Sequence, residues 1–239
     1  MSAITVSPPV FDPVAAYGIG GLAVVVAGTV VWIWRRYAPG SATRAGLVLA
    51  AWMAGTGLLA GSGTLARFDV LPPPMALLMA AVFVVAFGVG VSPAGGTLAA
   101  AVPLSTLVGL QAFRLPLELV MHHAAQVGIM PPELSYAGYN YDILTGAGAL
   151  AIVVAMGTGR HVPRAIVWAW DVWGIGCLLV ITAIAVATSP MVRAFGDDPR
   201  HLNTWVLHVP YVWLPAVLVV VALAGHVVVT RALLGHRSA

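Results

Sequence analysis

Long stretches without charge are the feature that most constrains this chain. Seven apolar runs approach or exceed the roughly 20 residues that a helix needs to cross a hydrocarbon core. Only 8% of the 239 residues are charged, against roughly 25% in an average soluble domain. The sequence therefore predicts an all-α integral membrane protein, a seven-transmembrane-helix bundle that forms one domain over residues 1–239. The predicted helices cover residues 14–34, 45–65, 74–91, 98–126, 141–156, 165–188 and 205–230.

The arginines predict the orientation of this bundle. The first run has no positive charge before it and is followed by Arg35 and Arg36, the reverse of a cleavable signal peptide. If seven helices alternate, one side collects seven arginines and the other only Arg67, Arg193 and Arg200. Because positive charge accumulates on the cytoplasmic side, we expect the N-terminus outside and the C-terminus inside, in a bacterial cytoplasmic (inner) membrane. The seven are Arg35, Arg36, Arg44, Arg160, Arg164, Arg231 and Arg237.

The composition also excludes some function classes. The chain has no lysine, so neither a retinal Schiff base nor a substrate Schiff base can form. The net charge of +3 is spread over short loops and forms no basic face, so no nucleic-acid partner is predicted. The single cysteine, Cys177, lies in an apolar run and is interpreted as a packing residue. The predicted partners are the lipid bilayer and a small molecule or ion, and the sequence indicates no oligomeric state or protein partner.

The segment FRLPLELVMHHAAQ, residues 113–126, is a polar interruption in the fourth run. Arg114, Glu118 and His122 follow one another at i, i+4 spacing, which places them on one face of a helix. Such a face must contact protein or water and not lipid. Pro116 lacks an amide hydrogen and is expected to kink this helix, which favours a polar cavity beside the stripe.

Two other predicted helices bring polar residues to the same depth. Asn140 and Asp142 begin the fifth run, where they are also suited to cap the helix. His208 lies about one turn inside the seventh run. We therefore expect a ligand-binding or proton-coupling site that opens outward. Its residues are Arg114, Glu118, His122, Asn140, Asp142 and His208.

Several chemistries fit this predicted site. The leading hypothesis is binding, sensing or transport of a small polar molecule or ion, with Glu118 as the central group. Glu118, His122, Asp142 and His208 also have the ligand types of a divalent metal such as zinc, which would make the protein a metal-dependent, hydrolase-like membrane enzyme. Alternatively, the two histidines would ligate a haem iron.

A structural interpretation stands beside these hypotheses. In it Arg114 and Glu118 form an ion pair that fixes helix packing. The histidines then reach toward the membrane interface. The protein would be a structural subunit of a membrane complex.

A second acidic residue lies within the membrane. Asp171, in WAWDVWG, falls toward the inner end of the sixth run and is expected to pair with a loop arginine such as Arg44 or Arg164; a separate proton relay is the alternative. His226 and His236 lie near arginines at the inner end of the last run and are interpreted as solvated interface residues.

The segment FRLPLELVMHHAAQVGIMPPELSYAGYNYDILTG, residues 113–146, resembles a group of bacterial multi-pass membrane proteins without an assigned activity. VPYVWLPAVLV is more weakly similar. The resemblance implies that the polar residues of the fourth helix and of the start of the fifth belong together. It implies no substrate and no cofactor. The residues concerned are Arg114, Glu118, His122, Asn140 and Asp142.

Overall fold

The structure is a computed structural model that describes residues 6–235. Its regular elements over that range are all helical, joined by short turns. A 3-10 turn at Gln111–Phe113 joins α5 to α6, and a π-helical turn at Leu214–Val219 leads directly into α9. The helices are α1 Pro13–Tyr37, α2 Pro39–Gly61, α3 Pro74–Val91, α4 Pro93–Ala101, α5 Leu104–Leu110, α6 Arg114–Gln126, α7 Ile143–Gly157, α8 Arg164–Ala187 and α9 Val220–Gly235.

Six segments within residues 6–235 are long and apolar enough to cross a membrane. The prediction of an all-helical fold with several helices suited to cross a membrane is therefore confirmed. The seventh predicted crossing corresponds to α7, which has 15 residues and is about 22 Å long, shorter than a hydrocarbon core of about 30 Å. The six segments are Pro13–Tyr37, Pro39–Gly61, Pro74–Val91, Leu104–Gln126, Arg164–Ala187 and Leu214–Gly235.

The helix predicted over residues 98–126 is divided. The chain is extended at Val102, before Pro103, because a residue that precedes proline avoids helical conformation. Pro116 is the third residue of α6 and cannot donate to the carbonyl of Ala112. The 3-10 turn at Gln111–Phe113 contains Ala112 and lies immediately before α6. The helix is therefore irregular near Pro116, as predicted, and the irregularity is a change from α-helix to 3-10 helix.

The last predicted helix begins later than expected. Residues 205–207 form an isolated 3-10 turn, and continuous helix starts only at Leu214. Pro210 lies in the intervening segment, where its missing amide hydrogen is compatible with irregular structure. His208 therefore precedes this helix, and the prediction that it lies one turn inside was wrong.

Two glycines allow the helices that carry the polar residues to approach closely. A Cβ at Gly146 in α7 would lie 2.3 Å from the backbone nitrogen of Leu115 in α6. A Cβ at Gly174 in α8 would lie 2.3 Å from Cε1 of His226 in α9. Both distances are far below van der Waals contact, so these helix pairs could not pack in the same way around larger residues.

Gly174→Ala should therefore destabilise the protein. Overpacking of this kind typically lowers the free energy of unfolding by about 1–3 kcal/mol. Gly176→Ala is the matched control on the same helix, because a Cβ there would meet nothing within 4 Å. Thermal unfolding in detergent should show a lower midpoint for Gly174→Ala only. Equal midpoints for the two variants would contradict this packing.

Candidate functional site

Arg114 lies at the centre of a buried polar cluster. Its Nε donates to Oδ2 of Asp142 at 2.6 Å, and its Nη2 forms an ion pair with the other carboxylate oxygen. Nη1 lies 2.7 Å from Nε2 of His226, and Nη2 donates to the carbonyl of Gly174 at 3.3 Å. One guanidinium thus connects α6 to α8, to α9 and to the start of α7.

His226 extends the cluster to a second carboxylate. A guanidinium only donates hydrogen bonds, so Nε2 of His226 must accept, and the ring hydrogen lies on Nδ1. Nδ1 then donates to Oδ1 of Asp171 at 2.7 Å. The hydroxyl of Thr230 donates to the other oxygen, Oδ2, also at 2.7 Å. Both oxygens of Asp171 therefore have donors from α9.

This arrangement corrects two expectations. Asp171 was expected to pair with Arg44 or Arg164 but pairs with His226, and Arg164 instead donates to the carbonyl of Leu233. His226 was interpreted as solvated but has no exposed surface. The i, i+4 spacing of His226 and Thr230 is a sequence signal that could have indicated a polar face on α9. His236 lies outside the described residues.

Glu118 lies one helical turn beyond Arg114 on α6 and is 2% exposed. Both of its carboxylate oxygens lie 2.9 Å from Nδ2 of Asn140, which also donates to the carbonyl of Leu134. The ion-pair partner of Arg114 is thus Asp142, and not Glu118 as the structural interpretation had it.

Asn140 links the two carboxylates across the start of α7. Its Oδ1 accepts from the backbone nitrogen of Asp142 at 3.1 Å, as expected of a turn-forming asparagine. The side chain of Asp142 does not cap α7. It turns toward Arg114 instead, so its predicted capping role was wrong.

A narrow cavity of about 30 Å³ lies beside Glu118. Its polar lining comes from Arg114, Glu118 and Asp142, and the rest is apolar, with Leu178 of α8 and Leu218 of the π-helical turn among the lining residues. This volume admits an ion or very few water molecules. It is too small for an organic ligand.

His122 belongs to a different, larger pocket at the C-terminal end of α6, which we call the α6-end pocket. It measures about 450 Å³, is open, and is also lined by Gln126, Glu133 and Ser135. Nδ1 of His122 lies 2.8 Å from Oγ of Ser135 and Nε2 lies 3.1 Å from Nε2 of Gln126. Its ring stacks on Tyr136. His122 is not among the residues that line the cavity beside Glu118.

His208 is also separate from the cluster. It is partly buried before the π-helical turn, and this burial lowers the pKa of its imidazole. Its Nε2 has no hydrogen-bond partner among residues 6–235.

The proposed metal ligands are therefore not assembled. Among the described residues, no three His, Cys, Asp or Glu side chains are placed to hold a metal ion. The predicted set of Glu118, His122, Asp142 and His208 does not form such a group. Both ring nitrogens of His122 contact protein atoms, which leaves neither available to a haem iron in this arrangement.

Four of the six predicted site residues thus lie together, while His122 and His208 lie elsewhere. The four are Arg114, Glu118, Asn140 and Asp142. Comparison of the chain with known protein families, curated proteins and solved structures finds no match. The geometry of the cluster is therefore the basis for assigning a function.

Asp142→Asn should be strongly destabilising, because it leaves the buried charge of Arg114 without its ion-pair partner. Breaking a buried pair in this way typically lowers the free energy of unfolding by about 3–5 kcal/mol. Asp69→Asn makes the same chemical change in the exposed pair with Arg67 and should alter stability little. Denaturant unfolding of both variants in detergent provides the comparison, and an equal loss in the two would refute the central role of the buried pair.

Proposed function

We propose that this membrane protein binds a proton or a small cation at Glu118 and uses that binding in ion transport or sensing. The supporting observation is the charge of the buried cluster. It contains the carboxylates Glu118, Asp142 and Asp171, but only one permanent cation, Arg114. His226 is neutral in its contact with Arg114. Three negative charges against one positive charge leave two in excess when all three carboxylates are ionised.

Glu118 is the carboxylate at which the missing positive charge is best placed. Asp142 is paired with Arg114. Asp171 accepts hydrogen bonds from the imidazole of His226 and the hydroxyl of Thr230. Glu118 accepts from the neutral amide of Asn140 and borders the cavity. Because uncompensated charge is costly in a membrane interior, Glu118 is expected to hold a proton or an ion.

The size of the cavity limits which ligands can bind there. The sequence hypothesis covered any small polar molecule, but a space of about 30 Å³ favours an ion. The metal-dependent enzyme gains no support, since His122 and His208 lie apart from Glu118 and Asp142.

A purely structural role is the second candidate. Its specific support is that Arg114 contacts residues from α8, α9 and the start of α7 at once. In this role the cluster would fix helix packing within a structural subunit, without exchanging an ion.

Glu118→Gln separates the two candidates. A proton held at Glu118 in the folded protein and released on unfolding makes stability rise as pH falls, and a bound cation adds stability with concentration. The glutamine is neutral and should remove this contribution. Thermal unfolding in detergent over a pH series, with and without Na⁺ or K⁺, measures this contribution to stability.

The control is Glu133→Gln, in the α6-end pocket, whose carboxylate pairs with His201. It should retain the Glu118 contribution. A folded Glu118→Gln protein with the pH and cation dependence of the wild type would contradict ion binding at Glu118. Failure of Glu118→Gln to fold would favour the structural role.

We also propose that α7 forms a seventh crossing, with the N-terminus outside and the C-terminus in the cytoplasm of a bacterium. The excess of arginine on one set of loops supports this orientation. The apolar character of α7 and its close approach to α6 at Gly146 support its insertion in the bundle. In this orientation Glu118 lies in the outer half of the membrane and Asp171 in the inner half.

Single-cysteine labelling tests the orientation. With the only cysteine removed by Cys177→Ser, a membrane-impermeant maleimide should label Ser62→Cys in intact cells and Thr43→Cys only after lysis. Both positions are exposed and lie near opposite ends of α2. The reverse labelling pattern would show that the orientation is inverted.

A further inference from the structure

We propose that His226 is a second proton-binding site, and that a proton and the guanidinium of Arg114 compete for its Nε2 atom. This inference rests on the proposed function and deepens it. It identifies the bound ion as a proton and Arg114 as the group that moves between two states.

The competition follows from the contact between the two side chains. Nη1 of Arg114 lies 2.7 Å from Nε2 of His226, and a guanidinium cannot accept a hydrogen bond. The contact therefore requires the lone pair of Nε2. A proton on Nε2 would place its N–H group against the N–H group of Nη1, and the positive imidazolium against the positive guanidinium. Both contacts are repulsive. Protonation of His226 must displace Nη1.

The surroundings of His226 are suited to a proton and to no larger ion. Asp171 accepts from Nδ1 and would stabilise the imidazolium, as a buried carboxylate does for a catalytic histidine. Both oxygens of Asp171 already accept from protein donors, and both nitrogens of His226 have partners. His226 and Asp171 have no exposed surface. Neither ring nitrogen of His226 is therefore left open to a metal ion.

Other groups around the ring set the local charge. Arg114 faces it from α6, Asp171 from α8, and Asp142 acts on it through space from the start of α7. The indole of Trp170 packs 5.2 Å from the ring and is uncharged. Arg114 is the one cation among these groups, so protonation of His226 depends on where that charge lies.

Glu118 is the available destination for the displaced guanidinium. It follows Arg114 by four residues on α6, which puts the two side chains within mutual reach, and both line the same cavity. The charge of Arg114 beside Glu118 favours the ionised carboxylate. One proton then binds Nε2 of His226 and one leaves the carboxyl of Glu118, so the charge of the cluster does not change.

The two proton sites are therefore loaded alternately. In one state Arg114 contacts His226 and the proton is on Glu118. In the other Arg114 contacts Glu118 and the proton is on His226. Because Glu118 lies on α6 and His226 on α9, this exchange moves the bound proton from one helix to another.

Nitrogen-15 NMR of histidine-labelled protein tests the coupling. At high pH, where neither Glu118 nor His226 holds an added proton, the Nε2 signal of His226 should report a lone pair, and as acid adds protons to the cluster it should increasingly report a bound proton. In Glu118→Gln the displaced guanidinium loses its carboxylate, so protonation of His226 should need about tenfold more acid, or greater. Glu133→Gln should leave the midpoint unchanged.

The signal is assigned by its loss in His226→Gln. If that variant does not fold, Thr230→Val assigns it instead, because removal of a hydroxyl donor from Asp171 should shift the midpoint of His226. An Nε2 that keeps its lone pair at every pH at which the protein is folded would overturn the proposal. So would a midpoint that is identical in Glu118→Gln and the wild type. Either result can occur while Glu118 still binds an ion, so it is distinct from failure of the proposed function.

Discussion

The contact between Arg114 and Asp142 is the interaction on which the arrangement of the polar interior depends. Both groups are charged and almost fully buried, so each needs the other. Asn140, two residues before Asp142, is thereby held where its amide reaches Glu118. At its other end the same guanidinium meets His226, and through it Asp171. A single ion pair thus sets the positions of polar groups on α6, α7, α8 and α9.

The ion pair also leaves part of the negative charge of the cluster without a compensating cation. One guanidinium cannot neutralise three carboxylates, and its contact with His226 keeps that ring from contributing a charge. We propose that the excess negative charge falls on Glu118, whose carboxylate accepts from the neutral amide of Asn140. A small cavity lies beside this residue. The same group of residues can therefore both fix helix packing and bind an ion. The uncompensated charge is what distinguishes this cluster from one that only fixes helix packing.

Part of this cluster could be predicted from sequence, because helical periodicity places Arg114 and Glu118 on one face and the chain order brings Asn140 and Asp142 near them. The pair formed by His226 and Asp171 was missed for a physical reason. The last helix was predicted over residues 205–230 but continues to Gly235. His226 is therefore nine residues, about 13 Å, from the C-terminal end of the helix. Depth in a membrane depends on helix ends, and this helix both starts later than predicted, at Leu214, and ends later, at Gly235. Hydropathy does not report that shift.

The most direct test of the excess charge is infrared spectroscopy of the purified protein near neutral pH, in a buffer whose only cation is bulky and organic. Without a small metal cation, the account assigns a proton to Glu118 in the state in which Arg114 contacts Asp142 and His226. We expect a carbonyl band of a protonated, buried carboxyl group in the wild type, and we expect it to disappear in Glu118→Gln. A wild-type spectrum without that band, or a band that persists in the variant, would contradict the account.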